Sequence, residues 1–158
     1  MERLTFRDAQ EEDAGLILHF IKQLASYEKM SDEVTATEDG LRAWIFEKKK
    51  AEVFFICEDD REVGFALYFN NFSTFVGKAG LYLEDLYIEP AYRGKGYGKA
   101  VFKRLAEIAC ERDFGRIEWS CLKWNKPSID FYLSLGAVPM DGWTVYRLAG
   151  DAIKELAE

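Results

Sequence analysis

Histidine occurs once in these 158 residues, at His19, and cysteine three times, at Cys57, Cys110 and Cys121. A lone histidine with no Cys or His at ligand spacing argues against a metal centre, and equally against a hydrolase built on a histidine base. The cysteines form no C-x-x-C pair and are odd in number. Each stands in an apolar stretch, so all three read as buried, reduced thiols of a cytoplasmic protein. No apolar run approaches the ~20 residues that cross a bilayer, and no membrane association is expected. Residues 1–10 lack the basic-then-apolar order of a secretory signal. Basic side chains are in the minority, 21 against 28 acidic ones, for a formal charge of −7. Such a balance does not suggest a nucleic-acid partner, and it weakly favours a cationic ligand. With no repeat, linker or low-complexity segment, the sequence reads as one domain over residues 1–158.

Apolar periodicity supplies the elements. Residues 4–7 read as a first strand, and Ile17, Phe20, Ile21 and Leu24 as one helix face. Thr35-Ala-Thr-Glu38 has capping-box form and opens a helix carrying Leu41, Trp44 and Ile45. Residues 53–57 and 63–69 read as a hairpin around Asp59-Asp60-Arg61-Glu62. Residues 70–80, rich in Gly, Asn, Ser and Thr, read as a loop, and 81–88 as the next strand. A long helix then carries Val101, Leu105, Ile108 and Ala109 on one stripe. A strand is expected at 117–122, a short helix after Pro127 closed by Gly136, a last strand at 143–148, and a terminal helix at 151–157. The order is mixed α and β (α+β), with βαβ character only in the second half. It implies one twisted mixed sheet with helices on both faces.

The sharpest local signal is Leu86-Tyr-Ile-Glu-Pro-Ala-Tyr-Arg-Gly-Lys-Gly-Tyr-Gly98, where a strand enters a tight turn and a helix leaves it. Gly94, Gly96 and Gly98 allow backbone angles closed to other residues and remove side chains that block close approach. Successive N–H groups at a helix N-terminus can then cradle a phosphate or diphosphate, with Arg93, Lys95 and Lys99 adding positive charge. A dinucleotide fingerprint fails because Lys99 stands three residues after Gly96, and the nucleotide P-loop spacing fails as well. Arg-x-x-Gly-x-Gly fits, at Arg93, Gly96 and Gly98.

That segment resembles the coenzyme A diphosphate loop of the GNAT superfamily of N-acetyltransferases. Trp124-Asn-Lys-Pro-Ser-Ile-Asp-Phe-Tyr-Leu-Ser-Leu-Gly-Ala137 is similar to the region after that superfamily's fifth strand, and more narrowly to the diamine (spermidine/spermine) and thialysine N-acetyltransferase group. Tyr82-Leu-Glu-Asp-Leu86, Ser26-Tyr-Glu28 and residues 143–148 fit the same group, in the same order along nearly the whole chain. The resemblance implies the GNAT fold, mostly antiparallel, with a splayed strand pair holding acetyl-CoA. It implies acetyl transfer to a small primary amine by direct attack in a ternary complex, and commonly a homodimer.

Amide formation from a thioester needs a neutral amine, whereas an alkylammonium has a pKa near ~10.4; the departing thiol's lies near ~8.5. A base for the first and an acid for the second are therefore sought. The resemblance assigns the acid to Tyr132, seven residues after Asn125 and so two helical turns along. It assigns cofactor contacts to Asn125, Ser128, Leu86, Tyr87, Ile88 and the turn Arg93, Gly94, Lys95, Gly96, Tyr97, Gly98 and Lys99. It places Glu84 at the amine end as a water-mediated base, with Tyr27, Glu28 and Asp85 on the substrate side. Adjacent carboxylates in an apolar strand carry a burial cost, so at least one should face a cleft; in a regular strand Asp85 faces away from Glu84 and is structural. Polyamine-acetylating relatives carry an acidic residue and a Trp before that strand. Here the stretch is Asn71-Phe-Ser-Thr-Phe-Val-Gly-Lys78, with Phe75 and no carboxylate, closer to the thialysine type. Two other readings stay open: a protein N-terminus or lysine as acceptor, and a coenzyme A-binding module without catalysis.

Overall fold

The computed structural model describes residues 3–158; Met1 and Glu2, within the stretch tested above for a secretory signal, lie outside the described residues. The chain forms two compact units, one ending at Ser120 and the other Cys121–Glu158.

The first unit holds a five-stranded sheet in the order β1-β2-β3-β4-β5. Its strands are β1 Leu4–Asp8, β2 Glu52–Glu58, β3 Arg61–Ser73, β4 Lys78–Ile88 and β5 Ile117–Trp119. The first four pair antiparallel, and β4 pairs parallel with β5. Helix α1 is Ala14–Tyr27, α2 is Glu38–Leu41 continued by a π turn Arg42–Glu47, and α3 is Tyr97–Glu111. The uninterrupted apolar run Val53–Cys57 is buried at every residue, as a strand covered on both faces must be. On one face Phe55, Phe65 and Tyr87 pack with Ile17 and Phe20 of α1. Tyr68 alternates with Leu67, which packs on that same core, and so points to the other face. There Tyr68 and its partner Glu52 meet Arg112, which caps α3 and binds Glu52 through both guanidinium nitrogens at 2.6 and 3.0 Å. The α3 stripe Val101, Leu105, Ile108 and Ala109 is buried as the periodicity predicts.

Three expectations change here. The residues 70–80 are strand, not loop: β3 runs to Ser73, β4 starts at Lys78, and only a tight turn with Gly77 at φ 74° separates them. The Asn side chains, read as loop formers, bond across the hairpin and to β5: Asn70 Nδ2 donates to the Gly80 carbonyl and Asn71 Nδ2 to Glu118. The second helix is capped by Thr37, which accepts from Gly40 N at 3.0 Å, not by Thr35. That choice puts Glu38 and Asp39 in the first turn, where the helix dipole favours them. Of the cysteines only Cys57 is buried; Cys110 is exposed on α3 and Cys121 half-buried. The apolar neighbours of Cys110 in sequence lie on the α3 face that it does not share.

The second unit contains α4 Lys126–Ser134 and α5 Asp151–Ala157. Pro127 occupies the first turn of α4, and Gly136 follows its end at φ 87°. The strand expected at 143–148 does not form, and 120–122 do not extend β5. Residues 143–148 have β-forming side chains, but a strand exists only when a neighbouring backbone accepts its hydrogen bonds, and Trp143, Val145 and Tyr146 are instead 75%, 84% and 92% exposed.

Candidate active site

Strand β4 changes character at Glu84. Leu81, Tyr82 and Leu83 have β3 on one side and β5 on the other, with the β5 pairing ending at Leu83–Trp119. Residues 85–88 pair with β3 alone. Leu67 pairs with Asp85 and Tyr68 with Leu83, so Glu84 is an extra residue, a β-bulge. The bulge inverts the alternation expected of a regular strand. Leu83 shares the face of Tyr68, whereas Asp85 shares that of Leu67 and Tyr87, toward α1. At the far end Gly64 lets β3 approach: a Cβ there would sit 2.2 Å from the Tyr87 carbonyl oxygen. The result is a backbone edge over 84–88 that, among the described residues, has β3 on one side and no strand on the other.

Three carboxyl groups meet at this bulge. Glu28 caps the C-terminus of α1, and Glu84 and Asp85 come from β4. Burial first, then the nearby charges of Glu84 and Glu28, raise the Asp85 carboxyl to about 7. Burial, then Glu84, raises Glu28. A carboxyl poised near neutrality is suited to take a proton from an ammonium, and a group of neighbouring carboxyls is suited to hold one. Asp85, which the resemblance puts on the substrate side and regular alternation would turn away from Glu84, is part of this cluster. Its turn toward α1 depends on the bulge, which no residue pattern in the strand announces.

After Ile88, a short helical turn Pro90–Tyr92 leads into the glycine turn. Gly94 and Gly96 have φ of 79° and 81°, and a Cβ at either would meet nothing within 4 Å. Gly96 is the N-cap of the 15-residue α3, with no side-chain cap and no acidic residue in the first turn. A helix N-terminus without a side-chain cap, approached by glycines with no side chain to block a ligand, suits a diphosphate, so the residues fit coenzyme A. The basic side chains divide their roles. Arg93, although exposed, folds back on the end of β4: its Nε donates to the Ile88 carbonyl at 2.7 Å, and its guanidinium lies 5.1 Å from the Tyr27 ring centre and 5.3 Å from that of Tyr87. Lys95 pairs with Glu58 at 2.9 Å, and Lys99 is exposed. Tyr27 thus touches the glycine turn while its neighbour Glu28 faces the carboxylates.

In the second unit Asn125 is buried at the N-cap of α4, and its carbonyl accepts from Ile129 N. Ser128 and Tyr132 are half-buried along α4, with the Tyr132 ring 5.7 Å from that of Phe131. Glu58 was missed by sequence reasoning; as the acidic end of a strand before a turn it carries no distinguishing signal.

Comparison with known proteins fits this geometry. The acetyltransferase (GNAT) family model matches residues 18–137. The chain belongs to this family. The pig (Sus scrofa) thialysine N-epsilon-acetyltransferase is 37% identical over 99% of both chains. The human spermidine/spermine N(1)-acetyltransferase-like protein 1 is 32% identical over 99% of this chain and 24% of its own. Among solved structures, an integron cassette protein from the mobile metagenome of V. cholerae superposes with a TM-score of 0.80 at 27% identity, covering 98% of each chain. As a GNAT member the protein is an N-acetyltransferase with the α+β fold expected above.

Proposed function

We propose that this N-acetyltransferase moves acetyl from acetyl-CoA to a primary amine of a small lysine-like or diamine substrate, by direct attack in a ternary complex. What carries the reading is the bulged, one-sided half of β4, which sets three carboxyls beside a glycine turn open to a diphosphate. The thialysine acetyltransferase likeness supports the lysine-like acceptor, and the spermidine/spermine likeness the diamine.

Bound acetyl-CoA supplies a thioester whose carbonyl carbon bonds to the amine nitrogen as its bond to sulfur breaks. The glycine turn 93–98 and Lys99 hold the diphosphate on backbone N–H groups. The free edge at Leu86, Tyr87 and Ile88 pairs with the pantetheine amides as an added strand does. Glu28, Glu84 and Asp85 hold the ammonium end, and one of them receives its proton, with Asp85 carrying the pKa best matched to the task. Asn125 and Ser128 contact the cofactor, and Tyr132 gives its proton to the departing thiolate. The protein works as one acetyltransferase domain in the cytoplasm, and as a homodimer, as is common in the group that it resembles.

Release of free thiol from acetyl-CoA tests the proposal, measured with thialysine, lysine, putrescine, spermidine and a lysine-containing peptide. Release driven by the small amines supports it. Release by the peptide alone would move the acceptor to protein. No release with any amine would sink it. In the same assay Tyr132→Phe should lower kcat by about a hundredfold or more while coenzyme A affinity stays within about twofold.

A further inference from the structure

The glycine turn is gripped from the side by a residue that lies outside the reacting groups. Glu58 is the last residue of β2, fixed by pairing with Leu4 on one side and Arg61 on the other. The two residues after it, Asp59 and Asp60, both have positive φ, and form the tight two-residue turn into β3. One carboxylate oxygen of Glu58 accepts from both the Tyr97 hydroxyl and Lys95 Nζ. Those donors flank Gly96, the left-handed N-cap of α3. The Tyr92 ring adds to the contact, with Lys95 Nζ 5.5 Å and the Arg61 guanidinium 5.7 Å from its centre.

We infer that Glu58 is a positioning residue: by holding Lys95 and Tyr97 together it keeps the turn in its cofactor-binding shape before coenzyme A arrives. The inference rests on the reading of the turn as the diphosphate site. Glycines at 94, 96 and 98 make this backbone free to wander, and a loop ordered only by its ligand binds more weakly by the cost of that ordering. Glu58 removes part of the cost in advance. The same contact commits the Lys95 ammonium to a carboxylate, so that diphosphate recognition falls to backbone N–H groups and to Lys99. A competing arrangement makes the opposite forecast. If Lys95 leaves Glu58 to bind the diphosphate, Glu58 is a competitor for it, and removing its charge tightens binding.

The test is calorimetric titration with coenzyme A together with steady-state kinetics, on the full chain and on Glu58→Ala, Glu58→Gln, Tyr97→Phe and Lys95→Met. We expect the Kd for coenzyme A and the KM for acetyl-CoA to rise about tenfold in Glu58→Ala and about threefold in Glu58→Gln, which keeps an acceptor for Tyr97. The kcat at saturation and the KM for the amine should stay within about twofold, a split that loss of folded protein does not produce. Glu58→Ala combined with Tyr97→Phe should be no worse than Glu58→Ala alone, since both cut one contact. If the Glu58 variants fail to fold, Tyr97→Phe must show the split. Variants that bind coenzyme A as well as the parent, or tighter, overturn the inference and leave the site standing. A folded parent that takes up no coenzyme A overturns both.

Discussion

From Leu81 to Leu83, β4 has strands on either side, while from Glu84 to Ile88 it has one. The first half is apolar where it is covered: Leu81 and Leu83 are buried, and the half-exposed Tyr82 bonds its hydroxyl to Ser120 at 2.7 Å. The second half spends the same backbone on a bulge, two adjacent carboxylates and an edge with no strand of the unit beside it. A sheet edge left open is ordinarily a liability. Placed at the mouth of a turn that suits a diphosphate, it is, in the function proposed above, the docking edge for an extended ligand arm. The lesson is that a single inserted residue, Glu84, changes which face of the strand its neighbours present. It carries Asp85 to the α1 face, where burial and the charges of Glu84 and Glu28 hold its carboxyl near 7.

Contrasting substitutions on either side of the bulge should show the largest effect. Glu84→Gln or Asp85→Asn should lower kcat by about a hundredfold or more for whichever carboxyl takes the proton, whereas Tyr82→Phe, two residues earlier, should leave kcat within about twofold. Equal losses at all three positions would break the comparison. Stability against pH sharpens it next. Between ~3.9, the unfolded value of Asp85, and about 7, its folded one, the folded state keeps a proton that the unfolded chain releases. The Asp85 contribution therefore makes the protein less stable as pH rises through that window. Denaturant unfolding should find Asp85→Asn more stable than the parent by roughly 2–4 kcal/mol at pH 8, with the gap closing near pH 4. A gap that widens toward acid would contradict the burial of Asp85. The smallest effect belongs to the turn. Gly96→Ala forces a Cβ into φ 81°, which should cost about 1–2 kcal/mol of stability and weaken coenzyme A binding, although the space around it is open.

Much of this was readable from residues. The apolar run 53–57, the α3 stripe and the Arg93–Gly98 turn each carry a period or a spacing that only one local structure satisfies. The cysteine burial, the cap at Thr37 and the hairpin 70–80 were misplaced. In the hairpin the side chains answer to neighbours distant in sequence, such as Asn71 to Glu118, whereas the cap turns on a contact only three residues long, Thr37 to Gly40 N, and Cys110 lies on the exposed face of its own helix. Glu84 and Asp85 stood out as charges in an apolar strand. Their division of labour did not, because a bulge is a property of pairing between strands and alternation within one strand cannot reveal it. For the same reason residues 143–148 read as a strand from composition alone. Glu58 gave no sign because its role is made by what folds against it.

The most direct measurement is a crystal structure of the protein with coenzyme A. The account predicts the diphosphate on the N–H groups of residues 94–99 and the pantetheine amides hydrogen-bonded along the 84–88 edge. Coenzyme A bound elsewhere, or a pantetheine arm that makes no hydrogen bond to β4, would contradict it.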